Sequence, residues 1–188
     1  MKKPELIHRS YSLLVFLLVL ITQDLSAQTI YSQNRKEAFQ YMQKAELAKR
    51  GGNFNNAILE YTNAIAVDPN YAEAYMKRAL MLQQMGRYQE SLEDYNKAID
   101  INPYSDVYYD QRARLRLLQS DYKKAITDLD KALELSPYDD YLLDSRAIAE
   151  LEAGEYDKAL EDFSFIIDLN PDDTLAYLKR AITLVRLG

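Results

Sequence analysis

The fold of this chain is decided by residues 72–103, AEAYMKRALMLQQMGRYQESLEDYNKAIDINP. The stretch contains two amphipathic helical patterns, which are separated by a Met-Gly-Arg-Tyr turn and closed by a proline. In the first pattern, Tyr75, Ala79 and Leu82 recur at the i, i+4, i+7 spacing that places side chains on one helical face. The second pattern has a similar face, formed by Ser91, Leu92, Tyr95, Ala98 and Ile99. Since glycine readily ends a helix and proline cannot continue one, the stretch predicts a helical hairpin that is too small to be stable alone.

The hairpin pattern then repeats with a constant period. Pro69, Pro103, Pro137 and Pro171 stand 34 residues apart, without insertion or deletion. A small residue recurs in each first helix, where it lets two helices approach closely, and a large apolar residue recurs in each second helix, where it fills the space between hairpins. The small residues are Ala45, Ala79, Ala113, Ala147 and Ala181, and the large ones are Tyr61, Tyr95, Leu129 and Phe163.

A 34-residue helix–turn–helix period with this alternation of small and large residues resembles the tetratricopeptide repeat. The resemblance covers about residues 38–188. It implies an all-α fold, a right-handed α-solenoid of helix–turn–helix repeats. Where the family has its tryptophan, this chain has Tyr41, Tyr75, Tyr109, Leu143 and Tyr177. The repeats are expected at about residues 38–71, 72–105, 106–139 and 140–173, followed by the first helix of a fifth repeat at 174–188.

Composition is typical of one soluble domain and argues against several kinds of partner and site. The net charge of −6 disfavours a nucleic-acid partner, because contacts with phosphate need clustered lysine and arginine. The absence of cysteine excludes a disulfide and a thiolate metal site.

The first 27 residues differ from the rest and predict a cleaved signal peptide. A basic start with Lys2, Lys3 and Arg9 precedes the apolar run LLVFLLVLI at 13–21, and a polar stretch follows before the expected cleavage after Ala27. Leu25 is larger than a cleavage site prefers, so the site is expected within a few residues of this point. An uncleaved anchor is the alternative, although the apolar run is shorter than the roughly 20 residues of a transmembrane helix. This start is similar to that of an exported, bacterial-type member of the family, with a periplasmic or secreted location.

A polar lead-in is expected at residues 28–37, and Asn34 with Glu37 fits a capping box for the first helix. At the later repeats, N-cap side chains are expected from Ser105/Asp106, Asp139/Asp140 and Asp173/Thr174.

The mature chain offers little for catalysis. Signal cleavage would remove His8, the only histidine, so no Ser/His/Asp or Cys/His constellation and no zinc site of the usual type can form. Helix capping explains the paired aspartates, such as Asp139 and Asp140, better than metal binding does. We therefore expect no enzyme, no metal and no cofactor.

Charged residues also recur with the repeat. Arginines in the first helices and acidic residues in the second helices predict a ladder of partly exposed ion pairs, each worth about 0–1 kcal/mol. The alternative is a basic stripe that grips an acidic ligand. Arg116 and Glu150 occupy equivalent places in neighbouring first helices and could pair with each other. The ladder residues are Arg78, Arg112, Arg146 and Arg180 with Glu60, Asp94, Asp128 and Asp162.

The family resemblance implies that the first helices line a concave groove that binds a protein or peptide. Its mixture of methionine, aliphatic and charged residues suits an apolar or helical segment, although packing between neighbouring helices explains each aliphatic residue equally well. The candidate groove residues are Met42, Glu46, Met76, Leu80, Val107, Asp110, Arg114, Tyr141, Asp144, Ile148 and Leu178.

Some family members clamp the terminal carboxylate of chaperones with Lys, Asn and Arg side chains. The matching places here are Met42, Glu46, Lys77, Val107 and Gln111, so a chaperone-tail adaptor is disfavoured. We predict a non-catalytic interaction module of the cell envelope, with a protein or peptide of unknown identity as partner. Aromatic residues just after the prolines (Tyr71, Tyr104 and Tyr138) are further interface candidates.

The last helical pattern, at 174–187, is more apolar than a terminal cap of a solenoid should be. We expect either a longer repeat array, as the N-terminal domain of an envelope-assembly protein or enzyme, or a scaffold that self-associates through residues 174–188.

Overall fold

The computed structural model describes the backbone of residues 4–188 and the side chains of residues 23, 26 and 28–188. The described residues form helices joined by short turns and contain no strand, which confirms the predicted all-α class. The chain divides into two compact units, Met1–Tyr71 and Ala72–Gly188. Among the described residues, no helix combines the length and the apolar character needed to span a bilayer.

The first unit consists of α1 (Pro4–Arg50) and α2 (Phe54–Val67). Helix α1 is already helical long before Asn34, so the predicted capping box at Asn34 and the predicted lead-in at 28–37 are wrong. The physical reason is that neither glycine nor proline occurs between residues 5 and 50, so nothing interrupts the helix. Most side chains of the predicted signal peptide lie outside the described residues, and its cleavage stays a prediction.

Helices α1 and α2 form a hairpin with the predicted small and large core. The turn runs through Gly52 at φ 74°, and the Asn53 side chain then caps α2 by accepting a hydrogen bond from the Asn56 amide at 3.1 Å. Close approach of the helices is possible because the contact face of α1 offers Ala38 and Ala45, both fully buried.

The second unit consists of three hairpins and one further helix. The hairpins are α3 (Ala72–Gln84) with α4 (Tyr88–Ile101), α5 (Asp106–Leu118) with α6 (Tyr122–Leu135), and α7 (Asp140–Ala153) with α8 (Tyr156–Leu169). Helix α9 (Thr174–Leu187) packs against α8. Most of the predicted core positions are buried: Ala79, Ala113 and Ala147 in the first helices, and Tyr95, Leu129 and Phe163 in the second helices. Ala181 of α9 is exposed, so the prediction for this position is wrong.

The turns within these hairpins need a left-handed residue. Gly86 and Gly154 supply it at φ 74° and 80°, but Ser120 adopts φ 58° in the turn between α5 and α6. The left-handed conformation is unfavourable for an L-residue with a side chain, so the backbone of Ser120 is strained.

Two of the predicted N-caps are confirmed. The Asp139 carboxylate accepts hydrogen bonds from the amides of Tyr141 and Leu142 at 3.0 Å, and Asp173 caps α9 in the same way. Ser105 stands at the N-cap of α5 but makes no side-chain capping bond, so that expectation is wrong. The neighbouring Asp106 carboxylate instead accepts a hydrogen bond from the Ser136 hydroxyl at 2.5 Å.

Candidate functional site

The two candidate groove residues of the first unit have structural roles there. Met42 is buried. Glu46 is half-buried, and its Oε1 accepts a hydrogen bond from the Tyr61 hydroxyl at 2.8 Å. Both residues therefore help to hold α1 against α2, and neither is a freely exposed contact within its unit.

In the second unit, the two candidates on α3 also contribute to packing. Met76 and Leu80 are half-buried and pack against the buried cluster of Ala79, Tyr95 and Leu115. Because they support this cluster, replacing them with charged residues would destabilise the fold as well as change any binding surface.

Three other candidates meet at an open cleft of about 370 Å³ on the first-helix side of the second unit. Arg114 comes from α5, and Tyr141 and Ile148 come from α7. Sequence reasoning missed the remaining lining residues, Gln83, Leu117, Leu118 and Ser145. The signal that could have found the leucines is their place at the end of α5, where two adjacent apolar residues cannot both face the core of the hairpin.

The polar edge of the cleft is ordered by specific contacts. The Arg114 guanidinium lies over the Tyr141 ring, with its Cζ 5.6 Å from the ring centroid. Such a cation–π pair holds both exposed side chains in place. On α3, Gln83 Oε1 accepts a hydrogen bond from the Tyr95 hydroxyl at 3.1 Å, and burial raises the pKa of Tyr95, which keeps this hydroxyl protonated. The cleft therefore presents an apolar floor with a fixed arginine and a fixed amide.

Asp110 lies next to this edge but is buried, and its Oδ1 has no hydrogen-bond partner among the described residues. Burial raises its pKa, and the charges of Asp139 and Asp106 act in the same direction. Arg114 and a hydrogen bond from Gln111 Nε2 to Oδ2, at 3.1 Å, oppose that rise. The charge of Arg114 therefore acts on Asp110 within the fold.

The last three candidates lie outside the cleft lining. Asp144 of α7 forms an ion pair with Lys179 of α9, with Nζ 2.5 and 2.8 Å from the two carboxylate oxygens. Val107 and Leu178 are exposed. Whether any candidate groove residue contacts a partner stays a prediction.

Three of the four arginines in the predicted ladder form ion pairs, which are more buried than expected. Arg112 Nε and Nη2 donate to Asp128 at 2.9 and 2.6 Å, and Asp128 is almost wholly buried. Arg78 holds Asp94 in the same bidentate way, and Arg146 holds Asp162. Because these three guanidinium groups are already paired with carboxylates, the alternative of a continuous basic stripe for an acidic ligand is wrong.

The expected pairing of Arg116 with Glu150 does not form. Arg116 Nη1 donates instead to Asp128 Oδ2 at 2.7 Å and to the Lys124 carbonyl oxygen at 3.0 Å. Glu150 is buried in α7, and its Oε2 has no hydrogen-bond partner among the described residues. Burial, and then repulsion from Asp162, raise the pKa of Glu150 to about 7.

Within the described range, no cluster of three or more His, Cys, Asp and Glu side chains could hold a metal ion. The arrangement offers surfaces and hydrogen-bonding groups for recognition.

Comparison with solved structures shows which fold these helices share. A crystal structure of MamA protein superposes with a TM-score of 0.74 at 22% identity, over 80% of this chain and 82% of that chain. YrrB, described as a TPR protein with an unusual peptide-binding site, gives 0.70 at 20% identity, over 84% and 81% of the two chains. A tetratricopeptide repeat protein from Parabacteroides merdae ATCC 43184 gives 0.69 at 25% identity, over 98% of this chain and 73% of that chain.

Family models agree with these structural neighbours. No curated protein sequence matches this chain significantly. Four repeat models match successive stretches: a TPR repeat at residues 49–86, and tetratricopeptide repeats at 72–105, 107–139 and 145–188. The matches at 72–105 and 107–139 each cover one hairpin of the structure, and the four matches together take in most of the chain. The chain therefore belongs to the tetratricopeptide repeat family, with the all-α repeat solenoid as its fold.

Proposed function

We propose that this chain is a non-catalytic interaction module of the cell envelope, which binds a peptide or protein segment in the cleft between α3, α5 and α7. The observation that carries the proposal is the exposure of apolar groups in that cleft. Leu118 is 64% exposed and Tyr141 is 49% exposed. Exposed apolar groups that converge on one cleft are typical of a binding surface.

The chemistry of the cleft indicates the class of ligand. Leu117, Leu118 and Ile148 offer an apolar floor that suits an aliphatic or aromatic side chain. Arg114 offers donors at the rim, and Gln83 offers an amide, so a backbone carbonyl or a carboxylate of the same segment would be recognised there. Because Arg114 and Tyr141 already hold each other in place, little ordering cost is expected on this side when a ligand binds.

Family membership supports the same reading, since repeats of this kind present extended binding surfaces. The peptide-binding site named for YrrB belongs to that protein, and the shared fold alone does not transfer it. The envelope location rests on the predicted signal peptide.

The test is recovery of partners from an envelope extract with the wild-type chain and two single variants. Leu118→Glu places a charge at the exposed end of α5 without entering a hairpin core, and is expected to abolish capture of the specific partner. Leu169→Glu is the matched control, because it changes an exposed leucine of α8, which contributes nothing to the cleft. Equal recovery of the same partners by all three chains would show that the cleft is not the binding site.

A further inference from the structure

The cleft of the second unit contains an arginine that no carboxylate neutralises. Arg114 is exposed on α5, and among the described residues it makes no hydrogen bond and no ion pair. Its guanidinium is held over the Tyr141 ring instead. The arginines of the ladder differ, since Arg78, Arg112 and Arg146 each bind an aspartate through two nitrogens. The N–H donors of Arg114 are therefore left for a ligand.

On the α3 side of the cleft, Gln83 also presents donors. The side chain of Tyr95 is fully buried, so its hydroxyl proton needs an acceptor within the fold. Gln83 Oε1 is such an acceptor, at 3.1 Å. Burial raises the pKa of Tyr95, so the hydroxyl remains a donor at neutral pH. Because this hydroxyl holds the carbonyl oxygen of the Gln83 amide, the two N–H groups of the amide are left for the cleft.

The remaining polar groups of the cleft are the hydroxyls of Ser145 and Tyr141. Neither hydroxyl has a hydrogen-bond partner among the described residues. A hydroxyl can donate or accept, so these two groups adapt to whatever the ligand presents. The groups whose character is fixed, Arg114 and Gln83, offer donors.

Asp110 raises the opposite possibility, a basic ligand, because it is an acidic group next to the rim. It is buried, however, and does not line the cleft. A basic side chain in the cleft would meet the charge of Arg114, which repels it. An anion is therefore the charge that complements the lining.

We infer that the cleft selects a segment in which an acidic side chain lies beside an apolar one, and that Tyr95 is the positioning residue that sets this preference by holding the Gln83 amide. The inference rests on the proposed function and names the class of its ligand. The apolar side chain lies on the floor of the cleft, and the carboxylate accepts hydrogen bonds from Arg114 and Gln83. Glutamine in place of the acidic residue binds less well, because its hydrogen bonds to Arg114 lack the opposite charge. Lysine binds less well because it carries the same charge as Arg114.

Tyr95 acts on this preference without touching the ligand. Removal of its hydroxyl leaves Gln83 Oε1 without its donor, and the amide can then rotate and present an acceptor as readily as a donor. Tyr95→Phe should therefore reduce the preference for an acidic ligand over a neutral one. A purely structural role of Tyr95 would instead weaken the binding of both ligands alike.

The experiment uses the full chain and nine-residue peptides that are biotinylated at the N-terminus and amidated at the C-terminus, so that a side chain is the only source of a carboxylate. Each peptide has leucine at its centre, and each flanking position in turn carries Glu, Gln or Lys in a background of serine and alanine. Biolayer interferometry should show that, at one position or more, the Glu peptide binds about tenfold more tightly than the Gln and Lys peptides. Arg114→Gln should remove most of this preference, and Tyr95→Phe should lower the ratio of Glu to Gln affinity about threefold.

Two matched controls should keep the wild-type preference. Arg87→Gln removes an exposed arginine that pairs with Glu90 and lies outside the cleft lining. Tyr61→Phe removes a buried hydroxyl at the equivalent place of the first unit, where it donates to Glu46. Equal binding of the Glu and Gln peptides, a preference for Lys, or an unchanged ratio in Tyr95→Phe would overturn the inference. The absence of binding by every peptide would overturn it as well.

Leu118→Glu separates this inference from the proposed function. If the three kinds of peptide bind equally and Leu118→Glu abolishes the binding of all of them, the cleft is a binding site without the inferred preference. If the preference for Glu persists unchanged in Leu118→Glu, the carboxylate is bound elsewhere, and both the inference and the proposed function fail.

Discussion

Glu150 is a buried carboxylate whose charge costs the fold stability at neutral pH. It is 4% exposed, and its Oε2 lacks a hydrogen-bond partner among the described residues. Burial, the main cause, and repulsion from Asp162 and Asp130 raise its pKa from 4.5 to about 7, against the attraction of Arg146 and Lys158. Arg146 cannot neutralise it fully, because its hydrogen bonds go to Asp162 and Asp130.

The size and sign of the effect follow from the two pKa values. The folded state holds the Glu150 proton more tightly than the unfolded state, in which the pKa is near 4.5. Below about pH 4.5 both states are protonated and the penalty is absent. As the pH rises to about 7 and above, the folded state must either keep the proton or bury a charge. At about 1.4 kcal/mol for each pKa unit, the free energy of unfolding falls by about 3 kcal/mol over this window.

Glu150→Gln keeps the shape of the protonated side chain and removes the titration. We expect the variant to match the wild type near pH 4.5 and to be about 3 kcal/mol more stable at pH 8.5. Urea denaturation at several pH values measures this difference, and the other titrating groups largely cancel between the two chains. Glu152→Gln, at an exposed position on the same helix, is the control for exchanging a carboxylate for an amide.

A stability difference between Glu150→Gln and the wild type that stays constant with pH, or grows towards acid, would refute this reasoning. Glu150→Arg gives an independent check. In the preceding repeat, Arg116 stands at the equivalent place and binds Asp128. An arginine at position 150 should therefore bind Asp162 and raise the free energy of unfolding at pH 8.5.

Three further predictions concern the turns, the ladder and the N-terminus. Ser120→Gly should stabilise the fold by about 0.5–1 kcal/mol, because the relief of strain at φ 58° exceeds the greater chain entropy that glycine loses on folding. Gly86→Ser should destabilise the fold for the opposite reason. Thermal unfolding measures both changes. Asp128→Asn should lower the free energy of unfolding, measured by urea denaturation, by about 3–5 kcal/mol, because it leaves two arginines without their buried carboxylate. Asp100→Asn, at an exposed position, should be nearly neutral. A small loss for Asp128→Asn would show that the ladder does not support the fold. The mass spectrum of the exported protein should fit a chain that starts at Gln28 or within a few residues of it, and a retained Met1 would refute cleavage.

The repeat could be predicted because it depends on residue types at fixed spacings along the chain. Glycine and proline mark the turns, and small residues alternate with large ones at a constant period. The start of α1 was predicted wrongly. No glycine or proline interrupts the helix before Asn34, so the helix continues through the capping sequence. Ser120 shows the reverse case, in which hairpin packing imposes a left-handed turn on a residue that does not favour one.

The candidate site could be predicted only in part. Helical periodicity places Arg114, Tyr141 and Ile148 on the first helices, and the structure brings them together in one cleft. The same periodicity cannot separate them from Met76 and Leu80, which support the core. That distinction depends on which neighbouring helix lies against each side chain.

The sequence by itself determined the hairpin unit, its period, the family and the pairing of arginine with aspartate, because each of these depends on spacing along the chain. Only the tertiary structure decided how much water reaches each group. It buried the aspartates of the ladder and the carboxylate of Glu150, and it left Leu118 open to solvent. The physical reason is that burial, and with it the cost of a charge or the availability of an apolar surface, is set by residues that are distant in sequence.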